Sequence, residues 1–410
     1  MARGPRLEVE GGLVEQQYPS GRVVKANLDL DGDLASVETK KNATGAFANY
    51  ASNFSYNAAN AATGIQLGNG LWESTEFNAR LQPTRIAVGT TQNATDKLRL
   101  DCGYGSANNG NVMSQTITVP GLSQPFVQNY TYDELNRIKT ATETNSGAQT
   151  WTQVFGFDRY GNRNITSGLG VTNFAFSGNR ITAHSYDTAG NTIADGTGKT
   201  FTYDAENKQK TAVVNGYTNE YFYDGDGKRV KKVVPATGET TVFVYDAGGK
   251  SVAEYSTIVE PVSTAKVAYL TNDHLGSPRL NTDANGNVIS RHDYHPYGEE
   301  ISTPQRTGQG YTDDTVRKQF TGYERDDESG LDFAKNRYHS FDLGRFTSPD
   351  PYKIVAEVKF ERSSADAELM LQAYISQPQK WNQYPYTVNN PLKYTDPTGE
   401  ERTKTTLLLH

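Results

Sequence analysis

The chain has 410 residues, a net charge of −7, 25 tyrosines and 38 glycines; that balance argues against a nucleic-acid partner, and the aromatic content argues against disorder. A single cysteine, Cys102, excludes an internal disulfide framework and a multi-cysteine zinc site. The start, MARGPRLEVEGG, lacks the apolar run of a signal peptide, and no 18-residue apolar segment offers a membrane span.

Residues 1–44 alternate apolar and polar positions, with breaks at Gly11-Gly12, Pro19-Ser20-Gly21 and Asp31-Gly32. That pattern predicts short strands joined by tight turns. Within it, LDLDGDL at Leu28–Leu34 has the look of a calcium loop, but its glycine is out of place and its twelfth position is Lys40 where a glutamate is needed.

From about Tyr50 a motif recurs: an aromatic residue, then Asp or Asn, a few variable positions, a turn residue, and another strand. Clear copies begin at Tyr132, Phe157, Tyr186, Tyr203, Tyr223 and Tyr245, spaced 17 to 29 residues apart, with fainter ones at Tyr56 and Phe77. A period of this length marks a repeat architecture. Asp followed by Gly or Asn predicts a two-residue hairpin turn, and the ring before the Asp is predicted to pack against the ring of the next unit. One hairpin cannot bury that face alone, so the units must stack, and the fold class is all-β. GTGKT at Gly196–Thr200 suggests a phosphate loop, but the required first glycine falls on Ile193 and a strand, FTYD, follows.

Past residue 263 the pattern changes, to NDHLGSPRLNTDANGNVISRHDYHPYGE and then GYERDDESGLDFAKNRYHSFDLGRFTSPDP. His292 and His295 lie three apart in a predicted strand, so they point to opposite faces; with His274 nearby they still do not make a metal site, and no cofactor is expected. Ser363-Ser364-Ala365-Asp366 reads as a helix start, ADAELMLQAYIS as good helix formers, and Pro378 as the stop. One helix of about 12 residues follows, with Leu369, Met370 and Ala373 on a shared side, packing on or plugging the end of the fold.

The Tyr-Asp repeats resemble the YDxxGR and YDxxGN units of the Rhs, or YD-repeat, proteins. The two blocks just quoted resemble that family's repeat-associated core, and the resemblance to the family as a whole is strong over residues 130 to 352 and again from 381 to 399. The resemblance implies a spiralling β-sheet that forms a partial hollow shell, with a small helical insertion near the C-terminus. It divides the chain into an N-terminal strand segment (1–44), a hairpin array (45–262), a core (263–400) with an insertion at about 355–377, and a tail (401–410). It implies a container that houses or delivers a C-terminal toxin or cargo, secreted or at the cell surface as part of a larger bacterial protein. Its partners would be that cargo or the rest of the shell.

Two further functions stay open. Self-cleaving members of the family carry two Asp-Pro motifs, which the resemblance places at Asp350-Pro351 and Asp396-Pro397-Thr398-Gly399. Cleavage falls just after the second. Two carboxylates held close divide the work of acid and base against a peptide bond. Arg345 matches a basic family position and would hold a carboxylate or the scissile carbonyl; Asp342 is a third acid to consider. The same Asp-Pro pairs also serve simply as turn formers. The aromatic sheet face would alternatively bind surface carbohydrate.

Overall fold

The computed structural model describes residues 6–7, 13–42, 44–246, 248–258, 266–351, 363–400 and 403–404. Every strand pairs antiparallel with its sequence neighbour. Fourteen strands from Arg6 to Gly168 form one sheet, and eight from Ser185 to Ser256 form a second, both in strict chain order. Strand Leu34–Lys40 pairs with Ala48–Tyr56, so both belong to the first sheet. The two sheets also meet away from their junction, where the Ser20 N–H reaches the Tyr255 hydroxyl at 3.3 Å. The motifs at 28–34 and 196–200 are ordinary turns, closed by the side chains of Asp29 and Asp195.

The repeat turn differs from the two-residue turn expected. At Asp133 the Oδ1 accepts the N–H groups of Leu135 and Arg137 at 3.0 and 2.9 Å, while the Asn136 N–H returns to the Asp133 carbonyl. Asp158, Asp204 and Asp224 repeat that bonding. Only the residue three after the Asp takes a positive φ: Asn136, Gly161, Gly190, Asn207, Gly227 and Gly249. This is a type I turn followed by a left-handed residue that forms a bulge, and the register shifts beside Tyr132, Tyr203, Tyr223 and Tyr245 record it. The Asp side chain caps the turn, and so selects the longer loop over the two-residue one.

The tyrosines also act differently from the expected ring-on-ring ladder. The hydroxyls of Tyr132, Tyr223 and Tyr245 donate to the carbonyls of Val112, Gln209 and Arg229 in the preceding hairpin, at 2.7 to 2.9 Å. Rings of the repeats instead meet rings of the core block: Tyr221 with Tyr338, Tyr223 with Phe333, and Tyr186 with Tyr384. The hairpins of Tyr132, Tyr223 and Tyr245 are thus pinned to their predecessors by a hydrogen bond, and those of Tyr186 and Tyr223 to the core block by ring contacts.

The core block lies against both sheets. One apolar cluster joins Tyr130, Ile138, Trp151, Phe155 and Ile165 of the first sheet to Tyr297, Phe320, Phe346 and Tyr386. Another joins Phe201, Ala212 and Tyr221 of the second sheet to Leu331, Phe333 and Tyr338. Each large side chain buried this way stabilises by about 1.5–3 kcal/mol. Charges are buried along with them. Arg229 of the second sheet meets Glu324, Asp326 and Tyr338, with Lys232 beside it on Asp326. Arg306 meets Glu143 of the first sheet as well as Asp293. Such a composition fills an interior without a high content of Leu and Ile.

The three histidines go to separate surroundings. His292 sits between Asp314 and Glu300, His295 lies edge-on to Trp151 at 4.4 Å, and His274 bonds the Leu392 carbonyl.

The helix spans Ser364–Ile375, 12 residues, with the Ser363 hydroxyl capping the Asp366 N–H. It is less buried than a plug would be. None of its residues is buried, and Leu369, expected on the inner side, is 63% exposed. The chain just before it, residues 352–362, including Lys353 and the start of the expected insertion, lies outside the described residues.

Candidate functional site

The two Asp-Pro motifs, 46 residues apart in sequence, meet at one side chain. That side chain is Arg337. Its Nη2 lies 3.0 Å from Asp350 Oδ2 and 3.1 Å from Asp396 Oδ2. Its Nη1 donates to the Gln383 carbonyl at 2.9 Å, and its Nε donates to the carbonyl of Gly399. The guanidinium carbon lies over the Phe346 ring, 3.6 Å from its centre. Burial lowers its pKa and the two carboxylates oppose that, so the site is built around a desolvated cation.

The three chain segments are held independently. Arg337 is fixed by the hairpin of strands Leu331–Ala334 and Arg337–Ser340. Asp350 is fixed by its own N–H, bonded to the Gln383 carbonyl at 2.9 Å. Asp396 is fixed by Tyr323, whose hydroxyl donates to the Asp396 backbone carbonyl. Asp396 is buried, while the Asp350 side chain keeps 27% exposure, so the two carboxylates differ in their access to solvent.

Gly399 is where a glycine is required. It has a φ of +72°, and a Cβ there would stand 2.7 Å from the Ala334 carbonyl oxygen and 3.1 Å from the Arg337 nitrogen. Only a residue without a side chain brings its carbonyl this close to the guanidinium.

The opening is a cavity of about 380 Å³. Arg337, Asp350, Asp396 and Glu400 line its polar side, and Met370, Ala373 and Tyr374 of the helix close the other. The helix is tied there by Tyr374, whose hydroxyl donates to the Lys380 carbonyl and whose own carbonyl accepts from the Trp381 indole, each at 3.3 Å. Met370 and Ala373 thus share the inner side as expected, with Tyr374 in the place foreseen for Leu369.

Of the residues expected at the site, Asp350 and Asp396 are brought together and Arg345 is not joined to them. The Arg345 guanidinium donates to the Asn179 carbonyl and lies over the Tyr384 ring at 4.5 Å; burial lowers its pKa to about 10. The reason is strand parity. His339 pairs with Phe346, so Arg337, His339 and Phe346 share one face, and Arg345, one residue before Phe346, faces the other way. Asp342 is exposed at a turn, and its backbone carbonyl accepts from Arg163 at 3.0 Å. Arg337 was the residue missed: it stands eight positions before Arg345, and only the pairing register tells which of the two faces the carboxylates.

Among the described residues no group of three or more His, Cys, Asp or Glu side chains is arranged to hold a metal ion. Nor is any helix there long and apolar enough to cross a membrane.

No protein-family model matches the chain. In sequence it is similar to the tRNA nuclease WapA of Bacillus subtilis strain 168, 25% identical over 285 residues, which covers 66% of this chain and 11% of that protein. It is also similar to double-stranded DNA deaminase toxin A of Burkholderia cenocepacia, 29% identical over 97 residues, or 23% of this chain and 7% of that one. The chain therefore spans about a tenth of the length of these relatives or less. Its fold matches the crystal structure of TcdB2-TccC3 without the hypervariable C-terminal region. The TM-score is 0.75 and the identity 19%, over 96% of this chain and 21% of that one. The chain thus shares the sequentially wound β-sheet fold of TcdB2-TccC3.

Proposed function

We propose that this chain is the closing segment of an Rhs-type shell that houses or delivers a toxin or other cargo. The supporting observation is the core block itself, which rests against both sheets and is bolted to each by buried ion pairs. The relatives add to this. One is named as a tRNA nuclease and another as a DNA deaminase toxin, yet each is similar to part of this chain. Sequence similar to that of proteins of different activity suits housing better than either activity.

A second reading rests on Arg337: the site would be an intramolecular aspartyl peptidase acting on the Gly399–Glu400 bond. In this reading Arg337 polarises the Gly399 carbonyl, and its contact with both carboxylates keeps them within reach of that bond. One carboxyl keeps a proton and serves as acid, while the other takes a proton from the attacking water. The chain beyond Gly399 would then separate from the shell.

Intact-mass measurement of the purified chain over time tests this. The expected result is loss of the segment after Gly399, abolished by Asp350→Asn or Asp396→Asn and slowed by Arg337→Lys. A mass that stays full-length in the unaltered chain removes the peptidase reading and leaves the shell. The shell is tested by small-angle scattering: a longer chain carrying upstream repeats should show an internal void, and a solid particle would count against it.

A further inference from the structure

Lys208 stands five residues after the aromatic of its repeat unit, the place that Arg137 and Lys228 hold in theirs. Those two reach carboxylates, Asp133 at 2.7 Å and Asp226 at 3.3 Å. Lys208 is buried, and its Nζ donates instead to the side-chain amide oxygen of Asn336 in the core block, 128 residues away in sequence.

Both ends of this contact are fixed. The Lys208 N–H bonds Asp204 Oδ1 at 2.9 Å, which sets the base of the side chain. The side chain then passes Gly227, in the turn of the next unit, where a Cβ would stand 2.8 Å from Lys208 Cε and 3.0 Å from its Nζ. A glycine there leaves the lysine its path to the core block. Asn336 lies in the two-residue turn between strands Leu331–Ala334 and Arg337–Ser340. Its N–H is shared between the carbonyls of Ala334 at 2.7 Å and Thr398 at 3.1 Å. The amine and the amide thus meet as parts of two separately held turns, which replaces a chance encounter by a fixed one.

Lys232 shows the alternative fate of a buried lysine. It sits on Asp326 with Glu324 and Glu328 beside it, and these carboxylates outweigh burial and raise its pKa. At Lys208 burial wins and lowers the pKa, with Glu400 the carboxylate that opposes it most. A buried amine that sheds its proton is a nucleophile, and the amide carbon beside it is an electrophile.

We propose that Lys208 and Asn336 join in an intramolecular isopeptide bond that ties the second sheet to the core block. Once the ammonium has shed a proton, Lys208 Nζ attacks Asn336 Cγ, the Cγ–Nδ2 bond breaks, and one ammonia leaves. The further proton that Nζ gives up passes to the departing nitrogen, with Glu400 as the carboxylate that carries it. Nothing is oxidised or reduced. The product closes the chain from 208 to 336 into a loop and restricts the unfolded state as a disulfide would, in a chain whose single cysteine can form none internally.

The intact mass of the purified, denatured full chain tests it, together with a tryptic digest. The expected mass falls short of the sequence by one ammonia, and the digest should hold a branched peptide joining the segments around Lys208 and Asn336. Lys208→Arg and Asn336→Ala should each restore the full mass, and Glu400→Gln should slow the loss at least about tenfold in freshly purified protein. Cleavage after Gly399 is read separately, because both joined residues precede that bond. A cyclised Asn-Gly pair would also lose ammonia, but without a branched peptide. A full mass in the folded, unaltered chain, or ammonia lost with no branched peptide, would overturn the proposal. The branched peptide is sought in the unaltered chain, so the outcome does not hang on whether a variant folds.

Discussion

The hairpin array and the core block satisfy their polar groups in opposite ways. In the array, Asp133, Asp158, Asp204 and Asp224 each bond N–H groups two and four residues ahead, so these turns are complete within one short segment. In the core block, the partners are far away in sequence: Arg306 to Glu143, Arg229 to Asp326, Arg337 to Asp396. The array can therefore form piece by piece, whereas the core block depends on both sheets being present. Buried ion pairs contribute little net stability when intact, but each leaves a stranded charge when one partner is lost. The same number of hydrogen bonds thus carries different risk in the two regions.

That contrast can be broken most sharply at Arg229. Replacing it with Leu leaves Glu324, Asp326 and Glu328 with Lys232 as their cation, all of them buried. The urea midpoint should fall by the equivalent of about 3–5 kcal/mol. A loss under about 1 kcal/mol would mean the ion cluster does not tie the core block to the second sheet.

A middle-sized effect should appear as pH dependence at His292 and His295. Burial pulls the His292 imidazole down, but Asp314 and Glu300 outweigh it and raise its pKa to about 9. Its contribution is therefore complete below about pH 6.5 and is lost as pH rises towards 9, in total on the order of 2–3 kcal/mol. His295 runs the other way: burial, with Arg306 nearby, lowers its pKa to about 4, so its contribution is present above about pH 6.5 and lost as pH falls towards 4. Urea midpoints from pH 4 to 9 should fall at both ends; His292→Gln should make the alkaline fall shallower and leave the acid side as it is, the rest of the alkaline fall belonging to His274, whose pKa is also raised, against the pull of burial, to about 9. An alkaline limb unchanged in that variant would assign the loss elsewhere.

The smallest effect belongs to the array. Asp133→Ala removes the acceptor of two backbone N–H groups and the partner of Arg137, at a part-exposed turn where water can replace much of what is lost. The expected cost is about 1–2 kcal/mol, with amide exchange quickening in that hairpin and not in the core block. Protection lost across the whole chain would show that the turns are not independent.

The same contrast explains what could be read in advance. The Tyr-Asp spacing, the all-β class and the helix from Ser364 were legible because their causes are local: a capping Asp, a positive-φ Asn or Gly, a capping Ser363. The turn type was missed because the Asp side chain closes a loop one residue longer than the Asp-Gly pair suggests. At the candidate site the motif pointed to Asp350 and Asp396, and the structure joins them through an arginine. Choosing Arg337 over Arg345 required the register of a short hairpin, and no local signal carries that register.

The bulge beside Tyr132, Tyr186, Tyr203, Tyr223 and Tyr245 has a consequence for how such a chain can change length. Side chains in a strand alternate between the two faces, so an uneven insertion would turn the remainder of an ordinary meander inside out. Here each turn fixes its own Tyr, Asp and left-handed residue, and thereby restores the inside and outside of the next strand regardless of what preceded it. Units 17 to 29 residues apart therefore coexist in one chain, and whole hairpins can be gained or dropped without reframing those downstream.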